Sequence, residues 1–273
     1  MGKIVVNLLT AIVAITALSN VSACPISKAE EKSGAHCVDM GGYQMYIKIS
    51  EQKNPTIVFD AGSGDDSSVW NKVAPIVENF AQAVVYDRVG LGKSQPDSKM
   101  QPVTSQDVIN SLRALLKKEN LKPPYILVGH SRGGLNMQLF AEEYPQEVTG
   151  MVLIDSVSRN QTHHDAPPAK TANYYLEAIT AKQSIEQVKK AGKFPNIPLI
   201  VLSATCHHLS PAQETQWQTW QHELTLLSTQ SQQIIAYGSP HYIQQRQPQL
   251  VIDAIATMVN KVGKLDCSKA CKP

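Results

Sequence analysis

The sequence has little excess charge of either sign. Its 273 residues carry 25 Lys and Arg against 23 Asp and Glu, a formal net charge of +2, and charged residues make up only 18% of the chain. It contains neither basic runs nor aromatic residues interleaved with Arg, and aromatic residues contribute 6%. Because nucleic acids are bound through clustered positive charge, we expect no nucleic-acid partner.

Internal repeats and low-complexity tracts are also missing from the sequence. A chain of this length can bury a large core, so a folded protein is expected. We predict a signal peptide over residues 1–23, a flexible linker over 24–35 and a single domain over 36–273. The polar stretch from Ser156 to Pro195 interrupts the pattern of that domain, and we interpret residues 156–196 as a small lid.

The first residues follow the pattern of an export signal. Lys3 precedes an apolar run from Ile4 to Leu18, and the small residues Val21, Ser22 and Ala23 follow it. This order is typical of a secretory signal peptide. The run is shorter than the ~20 apolar residues that a bilayer span requires, so an uncleaved membrane anchor is the weaker interpretation.

Cys24 comes directly after these small residues, and the four-residue segment that it ends resembles the lipobox of bacterial lipoproteins. The resemblance implies a lipid anchor at Cys24 on the bacterial cell envelope. Cleavage after Ala23 to give a secreted or soluble periplasmic protein stays open. The chain has five cysteines, an odd number, and assigning Cys24 to lipid leaves an even set that predicts at least one disulfide, with Cys267 or Cys271 tying down the C-terminal tail.

Apolar runs alternate with helical patterns along the rest of the chain. The predicted strands are His36–Met40, Gln44–Ile49, Thr56–Phe59, Ala83–Tyr86, Tyr125–Val128, Gly150–Ile154, Leu199–Leu202 and Gln233–Tyr237. The predicted helices are Val69–Phe80, Ser105–Asn120, Leu135–Glu143, Pro211–Ser228 and Pro248–Val262, with weaker patterns at Tyr174–Thr180 and Ile185–Ala191. Continuous Ile, Val and Leu runs favour strands covered on both faces, and Gly41-Gly42 predicts a hairpin at the first edge. We predict an α/β fold with a mostly parallel eight-stranded sheet and helices on both faces.

A Gly-x-Ser-x-Gly motif lies between a predicted strand and a predicted helix. It reads Gly129-His130-Ser131-Arg132-Gly133. In this context the motif is typical of a nucleophile elbow, a turn so tight that its flanking positions must lack side chains and its serine hydroxyl projects above the sheet.

With this elbow the sequence resembles the α/β-hydrolase family. Four further segments resemble family landmarks in the same order: Thr56–Gly64 with Trp70, Val84–Ser94, Val152–Asp155 and Ser239–His241. The resemblance covers residues from about 36 to 262. It implies an enzyme with a Ser-acid-His triad and no cofactor.

Ser131 needs an imidazole to take its proton. His241 follows the last predicted strand, where the family resemblance places the base. Members usually carry the acid after the seventh strand, but the loop after Leu202 begins without a carboxylate. We favour Asp155 as the acid, because it ends the sixth strand. Glu214 and a Ser-His dyad remain open.

The oxyanion of an acyl intermediate needs two backbone donors. The amide of Arg132 supplies one, and by resemblance the amide of Ser63 supplies the other. We interpret Asp87 and Arg88 as an ion pair that braces the turn from Gly90 to Gly92.

No metal or dinucleotide site is expected. A cluster of Cys206, His207 and His208 with His163 and His164 shows no regular ligand spacing. The glycines at 90 and 92 lack the third glycine and the acidic partner of a dinucleotide fingerprint.

These residues predict a serine hydrolase that cleaves a carboxylic ester, or a related acyl bond, of a small-molecule substrate. An aminopeptidase-like amide hydrolase is the first alternative. A non-catalytic envelope binding protein is the second, because the usual acid position is empty and Ala61 stands where family members commonly have His. The serine at the elbow disfavours the dehalogenases and epoxide hydrolases of this fold, which use a carboxylate there.

Overall fold

A computed structural model describes residues 24–97, 99, 103–161 and 177–270 of the chain, with side chains through Gly263. The predicted signal peptide, His163, His164, the first residues of the weak helix at 174–180, and Cys271 lie outside the described residues.

The core of the fold is an eight-stranded sheet with the order β1-β2-β4-β3-β5-β6-β7-β8. Its strands are β1 Ala35–Asp39, β2 Gln44–Ile49, β3 Thr56–Asp60, β4 Gln82–Tyr86, β5 Tyr125–His130, β6 Val148–Ile154, β7 Leu199–Ala204 and β8 Ser231–Ala236. β2 pairs antiparallel with β1 and β4, and the other pairs are parallel. The predicted parallel sheet with an antiparallel edge is therefore confirmed.

Helices cover both faces of the sheet. They are α1 Lys28–Lys32, α2 Ala74–Val77, α3 Ser105–Lys118, α4 Arg132–Glu143, α5 Ala181–Ala191, α6 Pro211–Thr225, α7 Ile243–Arg246 and α8 Pro248–Ala270. On β3, Val58 packs into one core cluster with residues of α3 to α6, whereas Ile57 and Phe59 pack into the other with residues of α2, α7 and α8. The central strands β3, β5 and β7 are buried at every position because each face of the sheet meets a helical layer there.

The predicted helix over Val69–Phe80 is wrong in its continuity. A 3-10 turn at Ser67–Trp70 is followed by the single-turn helix α2, which has Pro75 in its first turn. Proline has no backbone N–H and its ring clashes with the turn before it, so one helix cannot run through this position.

The segment from Cys24 to Ala35, for which a flexible linker is predicted, contains the short helix α1 and one end of a disulfide. Ser27 and Glu30 form a reciprocal cap on α1, and Cys24 is joined to Cys37 by a disulfide. One sulfur cannot hold both a disulfide and a thioether lipid, so this bond and the predicted lipid are alternatives at Cys24, and the lipid anchor stays a prediction. The predicted tie of the C-terminal tail concerns side chains outside the described ones and stays a prediction.

Among the helices of the described residues, none combines the length and apolar character needed to cross a bilayer.

Candidate active site

The sequence-predicted site residues meet at one edge of the sheet. Ser131 follows β5, Asp155 follows β6 and His241 comes shortly after β8. The carboxyl ends of neighbouring parallel strands lie at the same edge, and ligands of open α/β sheets bind there. The fold therefore brings residues separated by up to 110 positions in sequence to the same edge of the sheet.

Ser131 occupies a strained turn between β5 and α4. Its backbone has φ 52° and ψ −120°, a conformation that non-glycine residues rarely adopt. A Cβ on Gly133 would lie 2.3 Å from the Asp60 carbonyl oxygen, and a Cβ on Gly129 would lie 2.6 Å from Gly134. Both glycines are thus required by close backbone contact, as expected for an elbow.

Asp155 binds the imidazole of His241 directly. His241 Nδ1 lies 2.6 Å from Asp155 Oδ2, and the carboxylate is fully buried while the imidazole is 31% exposed. The other carboxylate oxygen, Oδ1, accepts hydrogen bonds from the Ala204 amide at 3.0 Å and from Trp217 Nε1 at 2.9 Å. These bonds hold the carboxylate in place, and the carboxylate in turn orients the His241 ring through Nδ1.

The loop carrying His241 is attached to the loop after β7. The amides of Thr205 and Cys206 donate to the Ser239 carbonyl oxygen at 3.2 and 3.0 Å, and the Gly238 amide donates to Thr205 Oγ1 at 2.9 Å. The position of His241 therefore depends on β7 as well as β8.

His207 is a second imidazole on Asp155, and sequence reasoning missed it. Its Nε2 lies 2.7 Å from Asp155 Oδ2 and its Nδ1 lies 2.8 Å from Glu214 Oε1. Burial opposes protonation of His207, but hydrogen bonds and the negative charges of the two carboxylates outweigh it and raise the pKa of His207. Burial likewise works to raise the pKa of Asp155, and its bonds to the two imidazoles lower it overall.

Glu214, the alternative acid, occupies a different place. It lies in the first turn of α6, as expected for an acidic residue near a helix N-terminus, and its described contacts go to His207 and Gln218. Its carboxylate reaches the cluster around Asp155 only through His207. The geometry thus favours Asp155 over Glu214 as the partner of His241.

The two predicted oxyanion donors lie in the segments that follow β3 and β5. Arg132 is the first residue of α4, where backbone amides have no acceptor within the helix. Its side chain turns away and is anchored by the carbonyl oxygens of Glu177 and Val103 at 2.8 and 3.2 Å. Ser63 lies in the loop after β3, and the next amide, that of Gly64, donates to Glu177 Oε2 at 2.7 Å.

Arg88 holds this loop, which corrects its predicted role. It donates to the carbonyl oxygens of Ala61 and Gly62 at 2.7 and 2.5 Å, to Asp60 Oδ1 at 2.7 Å and to Glu177 Oε1 at 2.8 Å. Burial disfavours its charge, but Glu177 and Asp60 more than compensate and raise the pKa of Arg88.

Asp87, the other member of the predicted ion pair, has the bracing role expected of it but without Arg88. It accepts hydrogen bonds from the backbone amides of Ser67 and Lys93, both at 2.8 Å, and so braces the turn that contains Gly90 and Gly92.

His130 packs against the ring of His241, the candidate base. Its ring lies 4.6 Å from that of His241, and its Nε2 lies 3.1 Å from the His241 carbonyl oxygen. Burial and the neighbouring His241 lower the pKa of His130 to about 3. A neutral His130 that donates through Nε2 supports the backbone of His241.

Asp155, His207 and His241 were considered as a metal site, because one possible ligand atom from each lies within 4.8 Å of the others. Both imidazoles, however, contact the same carboxylate oxygen at 2.7 and 2.6 Å. Ligand atoms around tetrahedral zinc lie about 3.3 Å apart, given zinc–nitrogen distances near 2 Å. The spacing is therefore that of hydrogen bonds.

Comparison with known proteins identifies the family. The family model described as "alpha/beta hydrolase fold" matches residues 55–259. The chain belongs to the alpha/beta hydrolase family. It is 32% identical over 208 residues to the uncharacterised protein YqjL of Bacillus subtilis, which covers 73% of this chain and 81% of YqjL. Other curated relatives match over smaller parts, such as YbdG of the same species, of which the chain covers 36%.

Solved structures share the fold at low sequence identity. A thermophilic esterase from Thermogutta terrifontis has a TM-score of 0.61 and 17% identity, covering 84% of this chain and 98% of the esterase. A haloalkane dehalogenase variant from Bradyrhizobium elkanii has a TM-score of 0.67 and 13% identity, covering 86% and 99%. These similarities support the fold. They do not identify the substrate, which has to be inferred from the residues of the site.

Proposed function

We propose that the protein is a serine hydrolase that cleaves a carboxylic ester, or a related acyl bond, through an acyl-enzyme on Ser131. The observation that carries the proposal is the hydrogen bond of 2.6 Å between His241 Nδ1 and buried Asp155 at the edge where the strained Ser131 turn ends β5. Nucleophile, base and orienting acid are recognised by such geometry rather than by sequence order.

In the proposed mechanism Ser131 Oγ attacks the acyl carbon and its proton passes to His241 Nε2. Asp155 keeps the Nδ1–H tautomer and stabilises the imidazolium that forms. The amides of Ser63 and Arg132 bind the oxyanion. Collapse of the intermediate breaks the bond to the alcohol, which takes the proton from His241. A water molecule then attacks the acyl-enzyme by the same route and releases the acid.

A fluorophosphonate probe tests the nucleophile. We expect covalent labelling of the wild-type protein at Ser131 and complete loss of labelling in Ser131→Ala. Ser203, which is buried in β7, serves as a matched control, and Ser203→Ala should label like the wild type. A folded wild-type protein that fails to react would contradict the proposed function and favour the non-catalytic alternative.

The bond type is tested separately with a substrate panel. We propose that p-nitrophenyl esters are hydrolysed faster than aminoacyl amides. One structure with the same fold is named an esterase, and this supports the choice of an ester bond. Preference for the amides, with labelling intact, would favour the aminopeptidase-like alternative.

We also propose that the protein is exported to the bacterial cell envelope. The signal-like segment before Cys24 supports this proposal, and so does the bond between Cys24 and Cys37, because disulfides persist in oxidising compartments.

Mass spectrometry of the mature protein from its native host tests this proposal. We expect a chain that begins at Cys24, carries the Cys24–Cys37 disulfide and gains two hydrogens on reduction. A diacylglyceryl group on Cys24 would establish the lipid anchor and exclude the disulfide. An intact residue 1–23 segment would contradict processing of a signal peptide.

A further inference from the structure

His207 has contacts that the proposed reaction does not itself require. Its side chain is only 8% exposed, and each ring nitrogen faces a carboxylate oxygen: Nε2 faces Asp155 at 2.7 Å and Nδ1 faces Glu214 at 2.8 Å. An ionised carboxylate only accepts hydrogen bonds, and a neutral imidazole has a single N–H. Both contacts are satisfied together only when His207 is the doubly protonated cation.

Asp155 Oδ2 is shared between two imidazoles. It receives His207 Nε2 at 2.7 Å and His241 Nδ1 at 2.6 Å, while Oδ1 receives the Ala204 amide and Trp217 Nε1. Four donors thus surround one fully buried carboxylate. If His207 were lost, Oδ2 would keep only His241, and a buried negative charge would lose its compensating cation.

We propose that His207 is a positioning residue for the catalytic pair, a cation clamped between Asp155 and Glu214 that holds the Asp155 carboxylate against His241 and partly neutralises it. The proposal rests on the proposed function of Ser131, His241 and Asp155. It assigns His207 no contact with substrate.

The charged surroundings of His207 determine its effect on pH dependence. Asp155 comes from the end of β6, Glu214 from α6 and His241 from the loop after β8, whose ring lies 6.1 Å from that of His207. Trp217 of α6 packs against the ring at 5.0 Å and adds no charge. The cation of His207 therefore opposes a second positive charge on His241, and Glu214 favours one.

Opposite shifts follow for the two substitutions. Removing the His207 charge favours protonation of His241, so the acidic limb of kcat/KM should move to higher pH by about one unit. Removing the Glu214 charge while His207 stays cationic should move the limb to lower pH. If His207 only filled space, neither substitution would shift the acidic limb of kcat/KM according to the charge that it removes.

The first experiment measures protonation without any substrate. In protein with 15N-labelled histidine, NMR should show both ring nitrogens of His207 protonated at pH 7, above the ordinary histidine pKa of about 6.5. In Glu214→Gln, His207 should lose its proton at a lower pH than in the wild type. A single protonated ring nitrogen on wild-type His207 at pH 7 would overturn the proposal.

The second experiment compares two replacements of His207. His207→Gln keeps a neutral donor for Asp155, whereas His207→Phe keeps a ring without a donor. We expect kcat to fall about tenfold or more in His207→Phe and to recover substantially in His207→Gln, with the acidic limb at higher pH in both. The low-field Nδ1–H signal of His241 should weaken in His207→Phe.

His222→Gln is the matched control, because His222 is an exposed histidine on the same helix as Glu214. It should leave kcat and both pH limbs unchanged. If the wild type is active and His207→Phe matches it in kcat, pH profile and His241 signal, the proposal fails while the proposed function stands. If the wild type does not react with esters or the probe, the proposed function fails, and the NMR readouts of His207 and His241 still decide the clamp.

Discussion

Asp155→Asn is expected to lower kcat by about 10⁴-fold while the protein stays folded. The Asn side-chain oxygen would take the place of Asp155 Oδ1, because the Ala204 amide and Trp217 Nε1 both donate there. Its NH₂ group would then face His241 Nδ1 and act as a donor. His241 would carry its proton on Nε2, the tautomer that cannot accept a proton from Ser131. Steady-state ester hydrolysis measures the loss, and circular dichroism checks the fold.

Glu214→Gln is the control for the choice of acid. Because Glu214 contacts His207 and is separated from His241 by it, we expect kcat to fall by less than about tenfold. Equal losses in Asp155→Asn and Glu214→Gln, or a larger loss in the second, would show that Asp155 is not the acid of the triad.

Arg88→Met is expected to lower the free energy of unfolding by about 3–5 kcal/mol, the usual cost of leaving buried charges without their partner. Arg88 and Asp60 are 2% and 1% exposed, and the Glu177 side chain is 4% exposed. The substitution removes the cation that pairs with both carboxylates, and it removes the donor to the carbonyl oxygens of Ala61 and Gly62. Urea unfolding measures the change, and because these carbonyls belong to the loop that carries the proposed oxyanion donor Ser63, ester hydrolysis should fall as well.

Arg113→Gln provides the surface comparison. Arg113 makes a two-pronged pair with Glu147 but is 48% exposed, so its loss should cost at most about 1 kcal/mol. Glu177→Gln in the Arg88→Met background should restore part of the stability, because it removes one stranded charge. A loss in Arg88→Met no larger than in Arg113→Gln would contradict the role assigned to the buried network.

Local sequence patterns were sufficient to predict the sheet and part of the candidate site. The apolar runs specify the central strands, such as β3 and β7, because a strand covered on both faces is buried at every position. The elbow was predictable because backbone contact at Gly129 and Gly133 excludes side chains within a few residues of sequence. The prediction of one helix over Val69–Phe80 was wrong because it followed the apolar periodicity and gave too little weight to Pro75, which interrupts the helix.

The contacts of His207 and Arg88 had no comparable local signal. His207 lies 52 residues from Asp155, and Arg88 lies 89 residues from Glu177. The adjacent histidines 207 and 208 are equally compatible with a place on the surface. For Arg88, the neighbouring Asp87 was a closer candidate in sequence than its observed partners Asp60 and Glu177. The disulfide of Cys24 was missed for a similar reason, since the lipobox pattern supplied a complete local explanation.

The amino-acid order alone thus specified the strands, the elbow at Ser131 and the candidate base at His241, because each depends on short-range sterics or on position along an α/β pattern. The hydrogen bond between Asp155 and His241, the clamp proposed for His207 and the contacts of Arg88 with the loop after β3 arise only when the carboxyl ends of β3 to β8 are brought together. Buried charges must find partners, and a parallel sheet supplies those partners from segments that are distant in sequence.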